Sequence, residues 1–232
     1  MSHIGAPCVL AAHSPITPSQ RVVIVLKALI LTRHAHAASN VGDIVSAVPP
    51  GGGLSAAGIE EARSLGRLLA AESIDLGVSS RLSRTQETLA LVLAGRALPT
   101  VIEPLLDEIG FGAFEGGSLA AYRTWAWEHD PDAVCPGGGE SRVGAAVRFA
   151  DGLAALLGRP EETVLAVSHA LPLRYVLDAA DGSFPARRIE HVPHATPYRL
   201  GRESVELAID TLRAWATAPE FSDLDPGTPI GG

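Results

Sequence analysis

The segment LTRHAHAASN, residues 31 to 40, closes an apolar run with an arginine, two histidines and an asparagine. Two later segments have the same character, VSSRLSR at 78 to 84 and VSHALPLR at 167 to 174, and a Gly-punctuated stretch, LLDEIGFGAFEGG, carries Asp107, Glu108 and Glu115. Arginine presents forked donors that match phosphate oxygens, so Arg33 and Arg84 suit a phosphoryl group. His34 and His169 could add a nucleophilic imidazole and a further hydrogen-bond donor, and a carboxyl from the Gly-punctuated stretch could protonate a leaving oxygen. The arginines already stabilise the charge that develops on a transferring phosphoryl group, so this chemistry requires no metal or other cofactor.

The composition narrows the alternatives. Of 18 basic residues only Lys27 is a lysine, which disfavours Schiff-base chemistry, and no phosphate-binding G-x-x-x-x-G-K-[ST] loop exists. The net charge of −8 and the scattered arginines argue against a nucleic-acid partner. Two cysteines, Cys8 and Cys135, are too few for a disulfide framework and read as free thiols of a cytoplasmic protein. The longest apolar run, VVIVLKALIL, is too short to span a bilayer, so no membrane association is expected.

Elements must hold these residues in place. Residues 22 to 32 read as a strand covered on both faces. Ser55 caps a helix with Ile59, Ala62, Leu65 and Leu69 at helical spacing, and IDLGVSS follows as a strand. A helix in LSRTQETLALVLAG leads to the strand TVIEPL; a helix over about 141 to 157, the strand TVLAVSH and a helix through LRYVLDAA come later. TPYRL and SVELAID read as two final strands turning at Gly201. The alternation predicts an α/β fold: a three-layer α/β/α sandwich with a mostly parallel central sheet. Ligands of such sheets bind beyond the carboxyl ends of the strands, where the Arg and His residues fall. The expected organisation is a weakly ordered leader at 1–20, one domain at 21–216 and a flexible tail at 217–232.

Taken in order, TRHAHAASN, LSAAGIEEA, SSRLSRTQET, DEIGFGAFEG, GGGES and VSHALPLR resemble the histidine phosphatase superfamily, or phosphoglycerate mutase-like family, from about residue 28 to about 200. The resemblance implies the phosphoglycerate mutase-like fold, with a lid or insert at about 108–139, and a small-molecule phosphorylated substrate. By that resemblance His34 is the nucleophile that forms a phosphohistidine. Arg33, Arg84 and His169 cradle the phosphoryl oxygens with Asn40, and Glu108, rather than Asp107 or Glu115, is the general acid and base. Arg84 is chosen over Arg81 on the same pattern. Two positions depart from it: Ala35 stands where the family has Gly, and His36 where an acid is common. Ala35 should keep a negative φ or carry slight strain, while its carbonyl orients the His34 ring.

Within the family, a phosphoglycerate mutase is the rival. The absence of a Trp after the nucleophile, and of the Arg and Tyr that accompany EIGFGAFEGG in that subgroup, favours hydrolysis. The lid aromatics Tyr122, Trp125 and Trp127 would suit a bulky or ring-bearing leaving group, and Ser141 and its preceding glycines could also meet substrate. A homodimer is common in the family, although no exposed apolar stripe argues for one. From another class, His34 and His36 form an H-x-H pair that could bind a metal with His169, His191 and Asp178. That reading needs a (β/α)₈ barrel of ~250 residues and leaves Arg33 and Arg84 idle.

Overall fold

A computed structural model describes residues 26–222. The expected leader and residues 21–25 lie outside the described residues, as does the end of the expected tail beyond 222. Strand β1 (Ala28–Arg33) is followed by a single helical turn, α1 (Ala38–Val41), and helix α2 (Ala56–Leu68). Then come β2 (Leu76–Ser79), α3 (Ser83–Val92), β3 (Thr100–Ile102), two short 3-10 turns and α4 (Leu119–Glu128). The chain continues through α5 (Arg142–Leu157), β4 (Thr163–Ser168), α6 (Ala170–Ala180), β5 (Pro197–Leu200) and α7 (Arg202–Thr217).

The strands form one open sheet in the order β3-β2-β4-β1-β5, parallel except for β5, which runs antiparallel to β1. It is therefore not the closed barrel that the metal-dependent alternative needs. Successive strand side chains point to opposite faces. Leu29, Leu31, Val164 and Ala166 enter one core with α5, α6 and α7, whereas Ile30, Leu165 and Val167 enter another with α2 and α3. This double coverage makes the three layers and explains why β1 and β4 are near-continuous apolar runs.

Local chemistry sets the element ends. Ser55 caps α2 by accepting from Gly58 N, and Ser141 caps α5 by accepting from Gly144 N. Ser141 is not among the residues lining the cavity described below, so its place is at the helix start. Gly58 is required for another reason: a Cβ there would lie 1.9 Å from the His36 carbonyl oxygen. The start of α2 thus sits directly on the backbone that follows β1.

SVELAID is helical, contrary to the two-strand expectation. Val205, Leu207 and Ile209 suggest period two, but Leu207 is exposed, and the buried set is Val205, Ala208, Ile209, Leu212 and Trp215, spaced for a helix. The start of the expected tail is also packed. Trp215 Nε1 donates to Glu220 O, and Phe221 lies against the core under the guanidinium groups of Arg142 and Arg187. No helix of the described residues is long and apolar enough to cross a membrane.

Candidate active site

β2, β4 and β1 are sheet neighbours, and their carboxyl ends deliver Ser80, His169 and His34 to one edge. The register pairs Arg33 with Ser168, and the ladder extends one step further as His34 N donates to Ser168 O at 2.9 Å. A cavity of about 480 Å³ opens there. Arg33, His34, Asn40, Arg84 and Glu108 all line it.

His34 is 3% exposed. Its Nδ1 lies 2.8 Å from the Ala35 carbonyl, which can only accept, so Nδ1 carries the hydrogen and Nε2 keeps its lone pair. Burial, then the charges of Arg84 and Arg33, hold the ring well below the usual histidine pKa and therefore neutral. Ala35 orients the ring without a left-handed backbone: among the described residues only Asp43 and Ala195 have positive φ besides glycines.

His169 is completely buried and its tautomer is fixed by its neighbours. Arg84 Nη2, a donor only, lies 3.2 Å from Nδ1, so the proton sits on Nε2, which donates to Ser80 Oγ at 2.9 Å. Ser80 passes its own hydrogen to Thr85 Oγ1 at 2.8 Å, and Thr85 donates to Leu82 O at 2.7 Å. This one-way chain leaves the Nδ1 lone pair to hold Arg84.

Arg84 is held at Nη2 by Ser46 O and His169, and its Nε and Nη1 have no partner among the described residues. Arg33 is anchored by Val192 O, and its Nε is also unpartnered among the described residues. Burial lowers the pKa of both, Arg33 to about 10, without removing their charge at neutral pH. Donors without acceptors beside a nucleophile form a cradle for anionic oxygens.

The three candidate carboxylates separate by geometry. Asp107 accepts from Arg81 N and Nε, and Glu115 from Ala47 N and Val48 N, so both fasten loops. Arg81 is thereby a partner of Asp107. Glu108 instead lines the cavity, and among the described residues its carboxyl accepts a hydrogen bond only from its own neighbour, Ile109 N. The nearby arginines should depress its pKa, yet burial prevails and raises it, with Arg84, the Ile109 N–H and Arg33 opposing.

Asn40 combines both readings of its sequence, lining the cavity while its Oδ1 accepts from Ala37 N. His36 is not among the cavity-lining residues; its Nδ1 meets Ser55 Oγ, and its backbone N–H donates to Glu61. Among the described residues no group of three or more His, Cys, Asp or Glu side chains could hold a metal ion. His191 lines the cavity without joining such a group, and Asp178 is tied to Arg174.

Several contributors were not evident from sequence. Arg148 donates to the carbonyls of Leu105, Asp107 and Glu108 and pairs with Glu140, fixing the backbone that carries Glu108. Ser80 and Thr85 set the His169 tautomer, and His194 supports the His34 carbonyl at 2.9 Å. Glu140 lies in the quoted GGGES segment, but that segment gives no sign of its partner. Arg123, Arg142 and Arg188 also line the cavity, with apolar walls from Ile44, Phe111, Leu119 and Trp127.

With this geometry established, the sequence profile of the histidine phosphatase superfamily (branch 1) matches residues 29–215. The chain belongs to that superfamily. It is 42% identical over 87 residues to the adenosylcobalamin/alpha-ribazole phosphatase of Escherichia coli K12; the match spans 38% of this chain and 42% of that relative, less than half of its length. The crystal structure of the alpha-ribazole phosphatase from Shigella flexneri superposes with a TM-score of 0.66 at 30% identity, covering 76% of this chain and 92% of that one. A mycobacterial glucosyl-3-phosphoglycerate phosphatase superposes with a TM-score of 0.56 at 26% identity, covering 66% and 79%. The superfamily carries the fold assignment, phosphoglycerate mutase-like, and the phosphatase branch of the sequence-based expectation.

Proposed function

We propose that the protein is a phosphomonoesterase that hydrolyses a small-molecule phosphate ester through a phosphohistidine, without a metal. The observation that carries this reading is the fixed state of His34: Nδ1–H on the Ala35 carbonyl, Nε2 bare, and arginine donors without acceptors in the same cavity.

In the first step His34 Nε2 attacks phosphorus and the bond to the alcohol oxygen breaks. Protonated Glu108 delivers its proton to that oxygen, a role its raised pKa favours. Arg33 and Arg84, with Asn40, hold the phosphoryl oxygens while charge shifts between them; His169, whose two ring nitrogens are taken by Ser80 and Arg84, positions Arg84 rather than touching the phosphoryl group as the sequence-based expectation had it. In the second step Glu108, now a carboxylate, takes a proton from water. The resulting oxygen attacks phosphorus, the N–P bond breaks, and inorganic phosphate leaves with His34 neutral again.

The names of the relatives supply natural esters for a substrate panel: alpha-ribazole phosphate and glucosyl-3-phosphoglycerate. The apolar walls of the cavity suit a ring-bearing alcohol. The deciding experiment is hydrolysis of an aryl phosphate by EDTA-treated protein, with His34→Ala in parallel and acid-quench trapping of labelled phosphohistidine. Turnover that survives chelation and disappears with His34 is expected. Activity lost on chelation, or retained without His34, overturns the mechanism.

A further inference from the structure

Of the 16 arginines in the described structure, 14 fall into two groups, and Arg67 and Arg96 belong to neither. Nine, none among the cavity-lining residues, make ion pairs with carboxylates. The five that line the cavity, Arg33, Arg84, Arg123, Arg142 and Arg188, make none among the described residues. Of the two carboxylates in the lining, Glu108 is the candidate acid and Glu190 is engaged by Arg174 at 2.8 Å. One phosphate dianion accounts for Arg33 and Arg84. Three like charges then remain in a single concavity of a protein whose net charge is −8.

These three are not uniformly loose surface groups. Arg142 is 7% exposed, is held by Arg187 O at 2.6 Å and lies over the Phe221 ring, yet its Nε has no partner among the described residues. Tyr122, 4% exposed, has a hydroxyl with no partner, and burial raises its pKa, so it remains a neutral donor. Arg188 stacks on the Trp127 ring at 4.7 Å, which limits its freedom before any ligand arrives. Arg123 is near enough to Arg33 for its like charge, after burial and Arg84, to help lower the Arg33 pKa. Two buried donors without acceptors and three arginines without carboxylates line the same space. An anionic oxygen group satisfies both deficits.

We propose that Arg123, Arg142 and Arg188 form a second anion subsite in this cavity, which takes a carboxylate or phosphate carried on the alcohol half of the substrate. The substrate is then a phosphomonoester with two separated anionic groups, one held at Arg33 and Arg84 and the other at Arg123, Arg142 and Arg188. This rests on the phosphatase reading, and the two are tested by different measurements.

Calorimetric binding of non-hydrolysable phosphonates tests the subsite without any turnover. Butylphosphonate carries one anionic group, 4-carboxybutylphosphonate adds a carboxylate, and butane-1,4-bisphosphonate adds a phosphonate; spacers of three to six carbons cover the reach. At low ionic strength at least one doubly anionic series should bind about tenfold more tightly than its single-ended counterpart. The series that does so distinguishes carboxylate from phosphate. In the double variant Arg123→Ala/Arg188→Ala, two exposed positions, that ratio should fall to about one. Arg67→Ala, an exposed arginine outside the cavity and without a carboxylate partner, should retain it. Equal affinity across the series, no measurable binding of the doubly anionic members, or a ratio unchanged in the double variant overturns the subsite. Failure of His34-dependent aryl phosphate hydrolysis would overturn the phosphatase reading alone.

Discussion

Ser80→Ala removes one hydroxyl that touches no substrate, and its effect can be worked from the hydrogen-bond directions. In the native chain the His169 proton sits on Nε2 because Ser80 accepts there and Arg84 donates at Nδ1. Without Ser80 a buried N–H has no acceptor, at about 1–3 kcal/mol. If His169 shifts its proton to Nδ1, two donors face each other across 3.2 Å and Arg84 must leave. Arg84 then keeps only the Ser46 carbonyl at Nη2, and its fork turns away from the phosphoryl position. We expect this outcome, with kcat/KM for an aryl phosphate falling about 5- to 150-fold, the rate equivalent of 1–3 kcal/mol. Nitrogen-15 NMR should show the His169 proton moving from Nε2 to Nδ1, and Ser80→Thr should restore both tautomer and rate. Wild-type activity within about twofold, together with an unchanged tautomer, would refute the one-way chain.

Arg84→Ala should cost roughly 3 kcal/mol in the barrier, on the order of 100-fold in kcat, as for loss of one preorganised donor; steady-state kinetics checks it, and a change confined to KM would contradict it. Glu108→Gln should depress turnover of alkyl phosphates far more than that of activated aryl esters, whose leaving oxygen needs no proton. Because burial raises the Glu108 pKa, alkyl phosphate turnover should fall as pH rises through that raised value, and this limb should vanish in Glu108→Gln. Calorimetric Tm should fall as pH drops below about 6.5. His34, His169 and His194 are held neutral in the fold, His194 at about 4, so the unfolded chain takes up their protons first. Glu108 has the opposite sign, its contribution being present at low pH and lost as pH rises, so a Tm that increased between pH 6.5 and 5 would show the histidine contribution to be wrong.

The sequence carried the site wherever chemistry sits at a strand end. Arg33, His34 and His169 fall at the ends of apolar runs, and those runs are buried by layers visible as helical spacing in Ala62, Leu65 and Leu69; Arg84, in the first turn of α3, was singled out from Arg81 by the family resemblance. SVELAID misled because three aliphatic residues alternate there while one of them, Leu207, faces outward; period two and period 3.6 share those positions over one short window. The three further cavity arginines were illegible for a different reason. Arg123, Arg142 and Arg188 come from two helices and a loop, and their significance lies in lacking carboxylate neighbours, a property of three-dimensional packing. Arg148 is similar: an ordinary arginine in α5 gains its role only from the carbonyls it meets. Glu108 was chosen over Asp107 and Glu115 by the family resemblance alone, and the structure adds the physical ground, that the other two carboxyls fasten loops.

The position of β4 also bears on how the site comes into being. The fourth strand to be synthesised, it lies between the first two, and β1 and β2 do not pair with each other. A nascent chain ending before Thr163 therefore already contains Arg33, His34, Arg84 and Glu108, but on strands with nothing between them. Insertion of β4 closes the sheet and brings His169 beside Arg84 in the same event. Contacts of such long sequence separation form slowly. During refolding, activity should return with the slowest structural phase, and no amino-terminal fragment should show partial catalysis in proportion to the catalytic residues it contains.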